Sequence, residues 1–350
     1  MLLIRPIRES DLPALVELAG AAGIGMTSLP GDVELLRSKI ELSLSSFAAP
    51  HDPAQPRETQ FLFVAEDLDT GALAGTTAIK SGIGLSDPFY SYRLDKIVHA
   101  SPQLGVHKVM PTLYLSNDYT GAAELASLLL APGYRSGGNG HLLSKCRFLF
   151  LAQHGLRFPS TLIADMRGVS DAQGRSPFWE ALGQHFFSMD FPLADRLSGS
   201  RSKAFIAELM PRHPIYVPLL PADAQAVIAQ VHDNTRPALK LLEAEGFRHK
   251  GYVDIFDAGP TLEAELGQIR AVAQSQVGAC EMADLPEDTP LHLVATTAWD
   301  AFHCVLAPAQ WQGDVWRVGT AQARALGCDH GQPVRAVALK PEKHPEHASS

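Results

Sequence analysis

Apolar and polar positions alternate in LLIRPIR (residues 2–8), and SD then precedes the helical pattern LPALVELA (12–19), predicting a strand followed by a capped helix. After the Pro-rich stretch AAPHDPAQPRE (48–58), FLFVAED (61–67) and ALAGTTAIK (72–80) flank LDTG, which predicts a β-hairpin turning at Gly71. Residues 81–111 have no consistent period. TLYLSND (112–118) and ELASLLLAP (124–132) read as strands, and the turn-rich SNDYTG between them reads as a second hairpin connection. HLLSKCRFLFLAQHG (141–155) spaces Leu142, Leu143, Cys146, Leu149, Phe150 and Gln153 as a helix stopping at Gly155. STLIADMRG (160–168) reads as a strand, and SPFWEALGQHFF (176–187) as a capped helix running into a strand. AFIAEL, DAQAVIAQ and TRPALKLLEAEGF add a strand and two helices before YVDIFDAGP (252–260). Beyond Val277 the pattern changes to short β-like runs with one helical piece, AQARALG, and the polar tail 341–350 predicts disorder.

Composition narrows the class. The 350 residues, 46% hydrophobic and 19% charged, describe a globular chain long enough for a large core. A net charge of −9 argues against a nucleic-acid backbone or an anionic membrane as main partner. Arg5 interrupts any export-type apolar segment, and no apolar run is long enough to span a bilayer. Four scattered cysteines without a CxxC pair predict reduced thiols and a cytoplasmic protein, with no metal site.

The most telling local stretch is RSGGNGHLL (135–143), glycine-rich and placed between a strand and a helix. It lacks the dinucleotide spacing GxGxxG, and Asn139 stands where a P-loop needs lysine. What remains is Arg135-x-x-Gly138-x-Gly140, whose backbone amides at a helix N-terminus suit a pyrophosphate. Glycines also serve simply to permit a tight strand-to-helix turn, and the loop alone does not choose between the two.

With its flanks, the loop resembles the acyl-CoA pyrophosphate loop of the GCN5-related N-acetyltransferase superfamily. IRPIRESDLPALVELA, the FLFVAED–LDTG–ALAGTTA hairpin and ELASLLLAPGYRSGGNGHLLSK resemble that superfamily's early strands, loop and third helix, and NTRPALKLLEAEGF resembles a late signature. That signature lies unusually far downstream, and SPFWEALGQHFF is a second candidate for it. Longer stretches, among them GMTSLP, VHASPQLGVHKVMPTLYLSNDYTG, ADMRGVSDAQGRSPFWEALGQHFFSMDF and EGFRHKGYVDIFDAGPTLEAE, resemble the arginine N-succinyltransferase family.

The resemblance implies an α/β (α+β) acyl-CoA N-acyltransferase fold, with a mixed, mostly antiparallel sheet flanked by helices. It suggests a core over 1–192, a partial repeat of its elements over 193–276 and a small β-rich appendage over 277–340. It implies succinyl transfer from succinyl-CoA, a co-substrate and not a resident cofactor, to the α-amine of L-arginine. The expected coenzyme contacts are Leu128 on the preceding strand and Arg135, Ser136, Gly137, Gly138, Asn139 and Gly140 in the loop; His232 in QVHDNT is the expected proton-transfer residue. For an acceptor bearing a guanidinium and a carboxylate, Arg93, Asp165, Arg167 and Glu208 are candidates. Alternatives are ornithine or another basic amine as acceptor, or an assembly or regulatory subunit. A homo-oligomer, or a hetero-oligomer with a related chain, is expected.

Overall fold

The computed structural model describes residues 1–20, 29, 31–50, 52, 54–194 and 209–340. Glu208, the strand expected over 204–209 for most of its length, and the tail 341–350 lie outside the described residues. The elements run β1 (Leu2–Pro6), α1 (Leu12–Gly20), α2 (Val33–Ala48), β2 (Thr59–Asp67), β3 (Leu73–Ser81), β4 (Ser91–Ser101), β5 (Val106–Ser116), β6 (Ala123–Leu130), α3 (Asn139–His154) and β7 (Thr161–Asp165). There follow β8 (Ile215–Tyr216), α4 (Arg236–Ala244), β9 (Arg248–Val253), β10 (Pro260–Glu265) and α5 (Arg270–Gln274). The C-terminal part holds β11 (Gln276–Ala283), β12 (Leu291–Thr296), β13 (Cys304–Gln312), β14 (Val315–Gly319), α6 (Thr320–Leu326) and β15 (Pro333–Ala338).

These strands join into one sheet ordered β12-β15-β11-β14-β13-β1-β2-β3-β6-β7-β10-β9-β4-β5-β8. It is mixed and mostly antiparallel; the parallel pairs are β6–β7 and β11–β14. The hairpin at Gly71 is present as β2–β3. The hairpin expected around residues 117–122 is not: β5 pairs with β4 and β8, while β6 pairs with β3 and β7. The turn bonds Thr120 N to Asn117 O and Ala122 N to Tyr119 O let the chain change neighbours there instead of folding back on itself. SPFWEALGQHFF also departs from expectation, being helical through Phe187 with no strand. β9 and β10 lie in the main sheet between β7 and β4.

The C-terminal strands form a five-stranded barrel, closed by pairing β12 with β13, so their exposed edges are removed. α3 is sandwiched between this barrel and the main sheet, and residues 142–151 are all buried. That explains why its sequence shows no broad polar face. Around α3, Phe63, Phe150 and Phe302 pack edge to face, and Trp299 stacks on Phe150 at 5.1 Å. Trp299 also donates its indole N–H to Phe47 O at 2.8 Å, linking the barrel to α2.

Candidate active site

Two irregularities in β6 open the sheet. Thr76 pairs with Leu129 but Ala78 with Ala126, so Ser127 and Leu128 together oppose Thr77 in a β-bulge. Ser127 takes φ 53°, a left-handed conformation rare for a residue with a side chain. Beyond the bulge β6 has also left its parallel neighbour, because β6 and β7 pair only at Ala123–Leu162 and Glu124–Ile163. The strands then diverge, and Leu125–Leu130 face Ala164–Arg167 across a cleft of about 1050 Å³. An extended ligand with amides can lie in such a gap as an added strand.

One mouth of the cleft is the glycine loop. Arg135, Ser136, Gly137, Gly138 and Gly140 line it, whereas the Asn139 side chain turns back and donates to Tyr134 O at 3.0 Å. Gly137 and Gly138 have φ of 60° and 86°, which turns the chain into α3 at little cost because they lack Cβ. The first-turn amides of Gly140 and His141 have no helical carbonyl before them and are free for an anion, aided by the partial positive charge of the helix N-terminus. The two neighbouring glycines differ in what they face. A Cβ on Gly138 would come within 2.9 Å of Leu306 on β13, whereas one on Gly140 would meet nothing within 4 Å. Gly138 thus packs against the barrel, whereas Gly140 faces open space.

Leu128 lines the cleft in the bulge and is half-buried. Asp165 and Arg167, at the end of β7, line the opposite wall. Asp165 accepts from the Thr261 hydroxyl, and Arg167 donates to Ser170 Oγ at 3.0 Å. The segment carrying Arg167 is clamped from behind: Asp257 accepts from Gly168 N at 2.7 Å and from Gly259 N at 2.8 Å. A Cβ on Gly259 would lie 1.9 Å from Met166 O, so only glycine fits. Arg93 does not line the cleft; it is exposed on β4, 2.9 Å from Asp95 and 3.9 Å from Asp118.

His232 stands at the cleft's margin and does not line it. Its amide donates to Arg167 O at 2.9 Å, and Asn234, two residues on, lines the cleft. The ring caps the turn Asp233–Thr235, its Nδ1 accepting from Asn234 N–H at 3.1 Å. With Nδ1 used as an acceptor, the neutral ring carries its proton on Nε2. Burial, reinforced by the Arg167 charge, lowers its pKa below the ordinary histidine value, so the neutral form prevails near pH 7.

The residues that sequence reasoning missed are Lys80 and Glu124, paired at 2.8 Å, together with Phe89, Tyr90 and Arg147, all lining the cleft. No spacing signals them, because the β4–β5 arm and the strand order that gather them are not local. The four cysteines are buried and free. Burial pushes the Cys146 thiol up to about 12, so it stays protonated and is not an acyl-relay nucleophile at neutral pH.

Residues 2–271 match the family described as "Arginine N-succinyltransferase beta subunit". The chain belongs to the arginine N-succinyltransferase family. It is 47% identical to the arginine N-succinyltransferase of Enterobacter sp. (strain 638), the match covering 98% of this chain and 99% of that protein. It is 46% identical to the enzyme of the same name from Salmonella schwarzengrund, over 98% and 99% of the two chains. Among solved structures, arginine/ornithine succinyltransferase subunit AI from Pseudomonas aeruginosa superposes with a TM-score of 0.88 at 38% identity, over 97% of this chain and 99% of that one. A family fold with a bulged, diverging strand pair and a glycine loop at one end makes this chain an acyltransferase.

Proposed function

We propose that the chain transfers succinyl from succinyl-CoA to the α-amine of L-arginine, giving CoA and N2-succinyl-L-arginine. The observation that carries this is the cleft between β6 and β7, with its bulge, its glycine loop and Asp165 and Arg167 on its wall, in a chain of this family. The pyrophosphate sits on the amides of the Gly137–His141 turn, and the pantetheine amides pair with the backbone around Leu128. The thioester then rests at the bulge, where the irregular backbone of Ser127 and Leu128 lines the cleft. Asp165 and Arg167 supply one negative and one positive group for the guanidinium and carboxylate of the acceptor.

A thioester is already activated, so positioning and proton handling are the main tasks. The α-ammonium loses a proton to solvent, and the amine attacks the carbonyl carbon. The new C–N bond is kept as the C–S bond breaks. The attacking nitrogen gives up its second proton to become the amide, and CoA leaves as a thiolate that takes up a proton to give the free thiol. His232 presents Nε2–H as a donor toward this charge while Asn234 N–H holds its tautomer. The word "subunit" in the family description and in the Pseudomonas name supports an oligomer, either of this chain or with a related one. Sedimentation showing only a 37.7 kDa monomer overturns that.

The test is thiol release from succinyl-CoA by the purified chain, followed with arginine, ornithine and lysine in turn. Arginine gives the highest kcat/KM. Absence of acceptor-dependent release refutes the independent enzyme and leaves the subunit role; preference for ornithine refutes the assigned acceptor.

A further inference from the structure

Two cations lie deep in α3, two residues apart, and they are treated differently. Lys145 Nζ is 2.8 Å from Glu245. Arg147 is 2% exposed, lines the cleft, and has no carboxylate within ion-pair distance among the described residues. Its guanidinium is held by neutral acceptors alone: Nε to Ser144 O at 3.0 Å, Nη2 to Ser144 Oγ at 3.2 Å and Nη1 to Ala78 O at 3.4 Å. That leaves two of its five N–H donors and the whole charge uncompensated, an expensive arrangement for a buried group. Burial accordingly brings its pKa down to about 10, which still leaves it a cation at neutral pH.

The position of the guanidinium shows what could compensate it. Arg147 follows Gly140 by seven residues, about 10 Å along the helix, too deep for the pyrophosphate. The pantetheine arm is neutral. The ladder partner of Ala78 is Ala126, the residue just before the bulge at Ser127. The guanidinium therefore lies beside the place where the thioester rests. Apart from the 3′-phosphate at the coenzyme's far, adenosine end, the anions left on the two reactants are the acyl group's free carboxylate and the acceptor's carboxylate. The first is within one short chain of the thioester carbon, and Arg147 is on the helix that begins with the coenzyme loop.

We propose that Arg147 recognises the free carboxylate of the acyl group and thereby selects a dicarboxylic over a monocarboxylic acyl thioester. This rests on reading the cleft as the acyl-CoA site. A carboxylate accepting both remaining N–H groups gives the guanidinium a bidentate ion pair. Arg147 is then a specificity residue, distinct from His232.

The experiment compares succinyl-CoA with butyryl-CoA, the same chain length without the carboxylate, in the full chain and in Arg147→Met and Arg147→Lys. Each is run with arginine and with agmatine, which lacks the acceptor carboxylate. Arg147→Met strands no carboxylate, so it is expected to fold. It lowers kcat/KM for succinyl-CoA at least 30-fold, with butyryl-CoA within threefold and the Kd of free CoA unchanged. Arg147→Lys keeps the charge but not the fork, and lowers the succinyl-to-butyryl ratio at least fivefold. If Arg147→Met does not fold, the lysine variant decides. A parallel loss for both thioesters, or an unchanged ratio, overturns the proposal. A change in arginine-to-agmatine discrimination in place of the thioester ratio assigns Arg147 to the acceptor and also overturns it. Failure of the wild-type chain with both thioesters instead counts against the proposed function.

Discussion

Glu245 is fully buried and holds four hydrogen bonds: from Lys145 Nζ at 2.8 Å, from Arg270 Nη2 at 2.7 Å and Nε at 3.1 Å, and from Ala271 N at 2.9 Å. Lys145 and Arg270 in turn reach Leu339 O and Ala338 O at the end of the barrel. Glu245→Gln keeps the shape and removes the charge. It leaves two cations with 3% and 10% side-chain exposure without their carboxylate and sets an amide N–H₂ against a donor. Breaking a buried ion pair in this way costs about 3–5 kcal/mol. Urea denaturation at pH 7 measures it, as a fall in midpoint with unchanged slope. The pH dependence checks the cause. The two cations hold the carboxyl below its ordinary value against the opposing effect of burial. A depressed folded pKa means the stabilisation is complete above the unfolded pKa and is lost as pH falls through the folded one. The gap between wild type and variant therefore closes in acid, below roughly pH 4. A loss under 1 kcal/mol at pH 7, or a gap that widens in acid, refutes the reasoning.

Other outcomes concern the site. Gly140→Asp leaves the fold intact, since its Cβ meets nothing within 4 Å, but places an anion beside the pyrophosphate; calorimetry should show CoA binding weakened about 10- to 100-fold, on the order of 1–3 kcal/mol. A folded variant with unchanged CoA affinity contradicts the loop assignment. His232→Ala should lower kcat by about two to four orders of magnitude with CoA affinity retained; an effect under threefold removes the residue from the mechanism. Because burial and Arg167 lower the His232 pKa, the acid limb of the wild-type rate should fall below the usual histidine range, where protonation deprives Asn234 N–H of its acceptor. A limb centred above pH 7 rules this out.

What could be read from the chain was what its own neighbours decide. Residues 61–80 announced a hairpin because both strands and the turn lie together, and β6, the loop and α3 were recognisable as one strand-to-helix unit. The arm β4–β5 was legible only where TLYLSND overlaps the end of β5; the rest was not, because much of it is solvated on both faces, with Val98 and Val109 exposed alongside Arg93 and His99. Without a buried face there is no alternation to detect. The bulge at Ser127 escaped for another reason, since ELASLLL reads as an unbroken strand and only pairing with β3 reveals the extra residue. Nothing in the local sequence singles out Arg147. It is buried because α3 is covered on both sides, and the second cover comes from strands more than a hundred residues later.

That second cover bears on how the protein is made. The coenzyme loop's helix has one wall from residues near the start of the chain and another from β12, β13 and β15 near its end. On the ribosome, the first wall is available long before the second. At about 5–20 residues per second, the stretch from His154 to Ala338 takes on the order of ten to forty seconds to follow. During that time the apolar back of α3 and Lys145 await their partners, which makes them the surface a chaperone would cover. The packing around α3 is thus completed last, when the final strand seats.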